Sequence, residues 1–370
     1  MKIACCADLH LGEFKDFSKE ITVVWDFKEL CFKKSEQGTS VNSRLIDAAD
    51  CLVQIRRYCV ENNIDTLLIA GDIFNNRASV PTVVYNVGYR VLESFMLEGI
   101  NLYVIPGNHD QKDNTDYPEN SLKPFSRIMH LFEKPGLISF GPKEDSVEVL
   151  CIPYTKNKSI VMDAVNNYTP NPADKTHIIM THLGVSGAFT GANSYAMMDA
   201  YVPEELRYED VDFVVLGHYH KAQMITGTDD KMFYTGSPLQ LNFNDEGEER
   251  GFWILDTIKK ETEFVPLDAP KFITVTENNY KNISDKSKNF IKLKCSNNVN
   301  QKDLEDIVKD IGNTIAEEVK VELEKEYVAA HRSDITPDMS YKNIVEKFSK
   351  ENNFSKESLS IGLDIINTVL

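Results

Sequence analysis

Five short apolar runs, each ending in polar residues, stand out along the first part of the chain. They cover residues 2–10, 65–72, 101–110, 177–182 and 212–220. Between the first two runs, residues 44–63 place apolar side chains at helical spacing, and residues 80–99 do the same between the second and third. Strands that alternate with helices predict an α/β sheet whose strands are buried on both faces.

The later apolar runs follow one another without long helices between them. VEVLCIPY, KMFYTG, GFWILDT and TEFVPL all predict strands. We therefore expect the sheet to become mixed or to gain a second layer. Residues 14–43 form an insertion after the first strand and show no clear period.

Two prolines in PLDAPKF, residues 266–272, predict a domain boundary. We predict a main domain over residues 1–265, a small α/β domain over 266–330 and a helical tail over 331–370. In the small domain, NFIKLKC predicts a strand and QKDLEDIVKDIG a helix. The alternation in EVKVELEKEY predicts a further strand, and its charges would also suit a solvated helix.

The end of the tail carries a stripe of apolar residues at heptad spacing. The stripe comprises Leu359, Leu363, Ile366 and Leu370, and Ile361 and Ile365 widen it. This pattern favours a helix that docks on a partner, and the alternative is a helix that packs on its own small domain.

Composition narrows the class of protein. Of the 370 residues, 42% are hydrophobic and 26% are charged, as in an ordinary globular protein, and no apolar run approaches the ~18 residues that span a bilayer. Seven cysteines without a C-x-x-C pair predict a reducing compartment, so we expect a cytoplasmic protein without a signal peptide. The net charge of −17 argues against a general nucleic-acid binder.

The polar residues that end the five runs are of the types that bind metal ions. They are Asp8, His10, Asp72, Asn108, His182, His218 and His220. On extended strands, the two members of each i, i+2 pair would share a face, and the carboxyl ends of neighbouring strands meet in one crevice. His177 is an odd number of positions from His182 and should point away.

Polar residues also end strands in ordinary loops, and that interpretation is open for any single position. For the whole set, carboxylates, imidazoles and an amide without a thiolate suit Mn²⁺ or a similar divalent ion. Seven ligands exceed one tetrahedral site, and with added water they fit two octahedral ions.

The order D-x-H, G-D, G-N-H-D, H and G-H-x-H resembles the calcineurin-like metallophosphoesterase superfamily. Within it, HLGVSGAFTG, VDFVVLGHYHKAQ and YTGSPLQLNFND resemble the SbcD nucleases of double-strand-break repair. NDEGEERG followed by GFWILDT resembles the recombination endonuclease subunits of T-even-like phages. The resemblance covers about the first 265 residues.

This resemblance implies two mixed β-sheets flanked by helices, a small capping domain that binds DNA and a helical tail that docks a partner ATPase. It also implies two ion sites with a shared carboxylate. Asp8, His10, Asp72 and His220 would hold one ion, and Asp72, Asn108, His182 and His218 the other. His109 would face the scissile phosphate as a proton donor, oriented by Asp110.

The function that the resemblance implies is a two-metal DNA exonuclease and endonuclease using Mn²⁺ or Mg²⁺. Its expected partners are DNA ends, single-stranded or duplex, and an SbcC-like SMC-type ATPase, with a homodimer inside a heterotetramer. If a phage encodes it, it would act in the host cytoplasm. Asn75 stands where the SbcD pattern often has a histidine, which affects the expected exonuclease activity.

Two other functions compete with the nuclease. One is a phosphatase or other phosphodiesterase of the same superfamily, although GDIFNNR lacks the second Asp and the Gly of the G-D-x-x-D-R-G motif of protein phosphatases. The other is a non-catalytic subunit that binds DNA ends.

Overall fold

The computed structural model describes residues 1–77, 79–189, 201–282, 289–296, 299–314, 316–323, 339–351 and 354–369. The chain forms two compact units, Met1–Cys295 with Val299–Glu322, and Ser296–Asn298 with Leu323–Leu370. The domain boundaries after residues 265 and 330 remain predictions. In the part of the chain that is described, no helix has both the length and the apolar character needed to cross a bilayer.

The strands lie in the first unit, apart from the last residue of β18. In chain order they are β1 (Lys2–Cys6), β2 (Glu20–Asp26), β3 (Cys31–Lys34), β4 (Thr39–Asn42), β5 (Thr66–Ile69), β6 (Asn101–Val104), β7 (His130–Leu131), β8 (Gly136–Phe140), β9 (Val147–Ile152), β10 (Thr176–His182), β11 (Phe213–Gly217), β12 (Gln223–Met224), β13 (Met232–Tyr234), β14 (Gly251–Asp256), β15 (Glu261–Pro266), β16 (Phe272–Thr276), β17 (Asn289–Cys295) and β18 (Ala316–Leu323).

The α-helices belong to both units. They are α1 (Ser43–Glu61), α2 (Thr82–Leu97), α3 (Lys158–Asn167), α4 (Gln301–Thr314), α5 (Tyr341–Glu351) and α6 (Lys356–Val369). The helices predicted over 44–63 and 80–99 are therefore confirmed as α1 and α2. The Asn42 side chain accepts a hydrogen bond from the Arg44 N–H at the start of α1, which satisfies one of the unpaired donors of the first turn.

Two six-stranded mixed sheets form the centre of the first unit. Their strand orders are β15-β14-β1-β5-β6-β7 and β12-β13-β11-β10-β9-β8. One hydrophobic cluster takes alternate residues from both sheets, for example Ile3, Leu68, Val149, Met180 and Val215. The sheets thus pack face to face, because every second side chain of a strand points into the space between them.

Helices cover the outer faces of these two sheets. The other alternate residues of the first sheet, such as Leu67 and Leu102, form a core with α1 and α2. Those of the second sheet, such as Ile179 and Val214, form a core with Val161 and Val165 of α3. The predicted fold of two mixed sheets flanked by helices is confirmed.

The insertion over residues 14–43 is more regular than its sequence indicates. Residues 20–42 form an antiparallel sheet in the order β3-β2-β4. Most of its side chains are exposed or half-buried, so the alternation that normally identifies a strand is weak. The lack of a hydrophobic period in this segment therefore did not indicate a lack of regular structure.

A second small sheet, in the order β16-β17-β18, has its own core with α4. Val275, Ile291, Leu293 and Ile311 are buried in it. The strand, helix and strand predicted over this region correspond to β17, α4 and β18. Phe272 and Phe290 of this sheet join Phe17 and Phe243 in a further aromatic cluster.

The helices of the second unit, among its described residues, are the pair α5 and α6. The pair is closely packed at Gly362, where an added Cβ would lie 3.3 Å from Val345 Cγ1. Leu359 and Leu363 are partly buried, whereas Ile361 and Ile365 are exposed. Leu370 of the predicted stripe and residues 331–338 of the predicted tail lie outside the described residues.

Candidate metal centre

The polar ends of five parallel strands come together at one edge of the two sheets. β1, β5 and β6 are parallel neighbours in the first sheet, and β10 and β11 in the second. The carboxyl ends of these strands therefore point the same way within each sheet. All the sequence-predicted ligands lie at or just after these ends: Asp8, His10, Asp72, Asn108, His182, His218 and His220.

One group of ligand atoms comprises Asp8, His10 and His220. Each offers one nitrogen or oxygen atom, and these atoms lie within 4.8 Å of one another. His10 Nε2 is 3.1 Å from His220 Nε2. Two imidazole nitrogens that face each other this closely, next to a carboxylate, suit a common cation.

A second group centres on the amide of Asn108. Its Oδ1 lies 3.1 Å from His182 Nε2 and 3.1 Å from His218 Nδ1. His182 Nδ1 donates to the Ala70 carbonyl at 2.7 Å, which fixes the ring and leaves Nε2 facing the site. His182 is thus oriented as metal-binding histidines usually are.

The Asp72 carboxylate lies between the two groups. Its Oδ2 is 3.8 Å from His10 Nε2 and 3.4 Å from His182 Nε2, while its Oδ1 accepts the His109 N–H at 2.7 Å. Among the described residues, neither Asp72 nor Asp8 pairs with Lys or Arg, although they are only 2% and 0% exposed. A cation at the site would supply the missing positive charge.

The backbone at the site is not the extended strand that the i, i+2 spacing predicts. β1 ends at Cys6 and β11 ends at Gly217, so both pairs lie beyond their strands. Asp8, His10 and Asp72 have φ values of 54°, 46° and 56°, and His218 has 107°. These values are rare for residues with a Cβ, and such strain concentrates at functional sites.

Two glycines allow the strand ends to approach closely. A Cβ on Gly107 would lie 2.2 Å from Asp72 Oδ1, and a Cβ on Gly217 would lie 2.1 Å from the Ala70 carbonyl oxygen. The second Cβ would also be 2.7 Å from His182 Nδ1. No side chain fits at either position without moving a candidate ligand or its support.

His109 lies beside the first group but has a different partner from the expected one. Its ring is 4.8 Å from the His10 ring, and Nδ1 donates to the Asn75 carbonyl at 2.7 Å. The Asp110 carboxylate instead accepts the N–H groups of Gly107, Phe74 and Ile73. Asp110 therefore joins two loops. The His109 ring is oriented by the Asn75 carbonyl and not, as the resemblance implied, by Asp110.

His177 is remote from the site. It lies near the start of β10, and its Nε2 donates to the Asn171 carbonyl at 2.9 Å. Tyr154, which ends the run VEVLCIPY, is the neighbour that ligand-type reasoning missed. Its ring centroid lies 6.1 Å from that of His182 and 6.2 Å from that of His218, so it forms one wall of the site.

The electrostatics of the site differ between the candidate ligands. Burial opposes protonation of His182, but Asp72 outweighs burial and raises the pKa of His182 to about 9, so a metal ion would have to displace a proton from this ring. Burial lowers the pKa of His10 and of His218 to about 3, so both imidazoles are neutral near pH 7 and able to bind a cation. Burial raises the pKa of Asp8. Burial also opposes ionisation of Asp72, but His182 and His10 outweigh it and hold the Asp72 pKa below its ordinary value.

A scan of protein families matches residues 1–222 to the calcineurin-like phosphoesterases. The chain belongs to this family. Its members are metallophosphoesterases, and the donor set of the centre fits two metal ions.

Two curated relatives are nuclease subunits by name. Exonuclease subunit 1 of Enterobacteria phage T4 is 24% identical over 223 residues, which cover 59% of this chain and 60% of that protein. The SbcD subunit of the SbcCD nuclease of Staphylococcus epidermidis is 24% identical over 328 residues, which cover 80% of this chain and 77% of that protein. The alignment thus spans less than two thirds of the phage protein.

Among solved structures, a dimetal phosphatase from Danio rerio is similar to this chain with a TM-score of 0.33 and 9% identity. The similarity covers 69% of this chain and 91% of that structure. At this level it adds nothing to the family assignment.

Proposed function

We propose that this chain hydrolyses phosphodiester bonds of DNA and depends on two divalent metal ions. The observation that carries the proposal is the convergence of seven nitrogen and oxygen donors beside His109. When bound, two such ions lower the pKa of a water molecule and stabilise the attacking and leaving oxygens of an in-line displacement. The chain supplies the ligands, and it supplies the proton donor.

We assign Asp8, His10 and His220 to one ion and Asn108, His182 and His218 to the other, with Asp72 shared. The Asp72 carboxylate lies within 3.8 Å of His10 and 3.4 Å of His182, which supports a bridging position. Mn²⁺ is our first choice because the set mixes imidazole with oxygen ligands, and Mg²⁺ is the second.

We assign His109 the role of proton donor to the leaving oxygen. Its Nδ1–H is engaged with the Asn75 carbonyl, so Nε2 is the atom that can take up and deliver a proton. Histidine suits this task because its unperturbed pKa lies near neutrality. Asp110 supports the role indirectly, since it holds the loops that carry Asp72 and His109.

DNA as the substrate is supported by the named nuclease relatives and by the departure of GDIFNNR from the protein phosphatase motif. The net charge of −17 does not favour tight binding of DNA by this chain alone. We therefore propose that the chain acts in the cytoplasm with an SbcC-like SMC-type ATPase, as a homodimer within a heterotetramer, on single-stranded or duplex ends.

The exposed apolar side chains of the α5–α6 pair support this partner. Ile361 and Ile365 of α6 and Phe348 of α5 are 61%, 59% and 52% exposed, and Phe354 in the connection between the helices is 53% exposed. An apolar helix face of this kind suits the groove of a coiled coil. Residues 266–330 would form the capping domain that contacts DNA.

One assay separates the proposal from its competitors. Metal-free protein would be supplied with Mn²⁺ and tested on end-labelled DNA and on a generic phosphomonoester. We expect Mn²⁺-dependent cleavage of DNA and little hydrolysis of the monoester. Hydrolysis of the monoester alone would favour a phosphatase, and Mn²⁺ binding without either reaction would favour a non-catalytic subunit.

A further inference from the structure

Arg250 is a buried charged residue that the proposed chemistry does not use. It directly precedes β14 and is only 5% exposed. Its Nη1 donates to the main-chain carbonyl of His220, a candidate ligand. Its Nη2 contacts Asp245 at 2.8 Å and Glu248 at 2.8 Å. A buried guanidinium thus connects two carboxylates to the main chain of the metal centre.

His220 needs such support because no strand holds it. It lies beyond β11, which ends at Gly217, and the intervening His218 has a φ of 107°. The His220 carbonyl accepts only two hydrogen bonds from the described residues, one from Ser237 N–H at 2.9 Å and one from Arg250. These two hydrogen bonds therefore hold the main chain from which the His220 ring faces His10.

The position of Arg250 is itself well determined. β14 pairs antiparallel with β1, so its first residues lie beside the end of β1, where Asp8 follows. Asp245, which fixes the guanidinium, also accepts the Leu241 N–H at 2.7 Å. The next residue, Glu246, accepts the N–H and hydroxyl of Thr274 in β16 at 2.5 and 2.6 Å. Asp245 is therefore anchored by its own contact with Leu241 and by the contacts of the residue that follows it.

We propose that Arg250 is a positioning residue that orients the metal ligand His220 through its main-chain carbonyl. The inference rests on the proposed metal centre and concerns only the ion held by Asp8, His10 and His220. The planar fork of arginine reaches three acceptors at once, which the single ammonium of lysine cannot reproduce. Outer partners of this kind typically contribute about 10–100-fold to metal affinity.

The test is a titration of metal-free protein with Mn²⁺, followed by calorimetry. We expect Arg250→Lys to weaken one of the two sites by about 10–100-fold and to leave the other unchanged. Arg207→Lys is the matched control, because Arg207 also pairs with an aspartate, Asp210, and donates to the Val165 and Tyr168 carbonyls. Within the described ranges its contacts include no candidate ligand, so both sites should keep their affinity.

A second variant distinguishes the loss of positioning from a general loss of folding. Arg250→Met combined with Asp245→Asn and Glu248→Gln removes the cation together with its buried partners, so no unpaired buried charge remains, and of the described residues only the partly exposed Lys221 loses an ionic partner. It should show the same selective loss, with its folding checked by the melting temperature of the metal-free protein.

A double-mutant comparison with His220→Ala decides between positioning and a general structural role. If Arg250 acts through His220, Arg250→Lys should cost no further Mn²⁺ affinity once His220 is removed. An equal loss in both backgrounds, or a folded Arg250 variant with two unchanged sites, would overturn the proposal. If the wild-type protein bound no Mn²⁺ at all, the proposed metal centre itself would fail instead.

Discussion

The metal centre and the α5–α6 pair depart from the usual pattern of burial in opposite directions. In the metal centre, Asp8 and His182 are fully buried, although charged side chains are normally exposed. In the helix pair, Ile361 and Ile365 are more than half exposed, although large aliphatic side chains are normally buried. Each departure is unfavourable for the isolated chain, so we infer a binding partner for each region.

The two missing partners differ in chemistry. Among the described residues, the buried carboxylates of Asp8 and Asp72 form no ion pair with lysine or arginine, which suits the binding of cations, whereas an exposed apolar helix face suits an apolar protein surface. We infer that the first region carries the reaction and that the second recruits the subunit that brings the substrate. Variants in one region should therefore leave the role of the other region intact.

The largest effect is expected at the carboxylate shared by the two groups of ligands. Asp72→Ala should reduce cleavage to background and lower the Mn²⁺ content, because each ion contributes several kcal/mol of charge stabilisation. Metal analysis and a DNA cleavage assay would measure both effects. Asp113→Ala is the control, since its exposed carboxylate accepts hydrogen bonds from Thr115. Retained cleavage in Asp72→Ala would contradict the bridging role.

His109→Ala should separate chemistry from metal binding within the same centre. We expect cleavage to fall by roughly 10²–10⁴-fold, the usual contribution of a general acid, while two ions per chain remain bound. His130→Ala is the control, because the His130 ring stacks on Tyr103 and not on a candidate ligand. It should leave both cleavage and metal content unchanged. If His109→Ala emptied the centre, the assignment of His109 as proton donor and not ligand would be wrong.

Negative charges on the exposed face of α6 should weaken binding of the partner ATPase and leave Mn²⁺-dependent cleavage unchanged. Ile361→Asp with Ile365→Asp should weaken binding of the ATPase by at least about a hundredfold, because two buried isoleucines contribute about 3–6 kcal/mol. Co-purification would measure binding of the ATPase, and a Mn²⁺-dependent cleavage assay would measure the activity of the metal centre. Ser360→Asp adds a charge to the same helix and serves as the control. Truncation of 335–370 should act like the double variant, and an intact complex would contradict the docking role.

The smallest effect is expected at Asn75, beside His109. Asn75→His should raise exonuclease activity of the isolated chain by about tenfold, since errors of ~1 Å in substrate position can cost ~100-fold. Metal content should not change, and Asn76→His is a matched control at the next, exposed position. End resection and melting temperature would be measured on the same preparations. A destabilised Asn75→His variant without added resection would show that Asn75 serves only the turn.

The sequence predicted which residues come together but not how the backbone brings them there. The i, i+2 spacing of Asp8 with His10 suggested a shared strand face, yet both residues lie beyond β1 with positive φ. Asp8 and His10 still lie together, because their N–H groups donate hydrogen bonds to the carbonyls of Gly71 and Asp72 after the neighbouring strand β5. Strained φ values depend on such long-range contacts and leave no pattern in the sequence.

The contacts that hold the site residues in place could not be predicted from the sequence for a related reason. The His109 ring is held by the Asn75 main-chain carbonyl, and Arg250 reaches the carbonyl of His220. Every residue has a carbonyl, so side-chain identity does not reveal which one accepts. The same limit explains the missed sheet β3-β2-β4, whose pairing uses main-chain groups and whose faces are largely exposed.

The tight fit of Gly107 and Gly217 has a consequence for mutational screening. A methyl group at either position would overlap Asp72 or the Ala70 carbonyl, at 2.2 and 2.1 Å. In a library of random variants, these glycines would therefore score as strictly required, alongside the ligands themselves. They carry no reactive group, so an activity screen alone would count them among the chemical residues, and only their contacts distinguish the two classes.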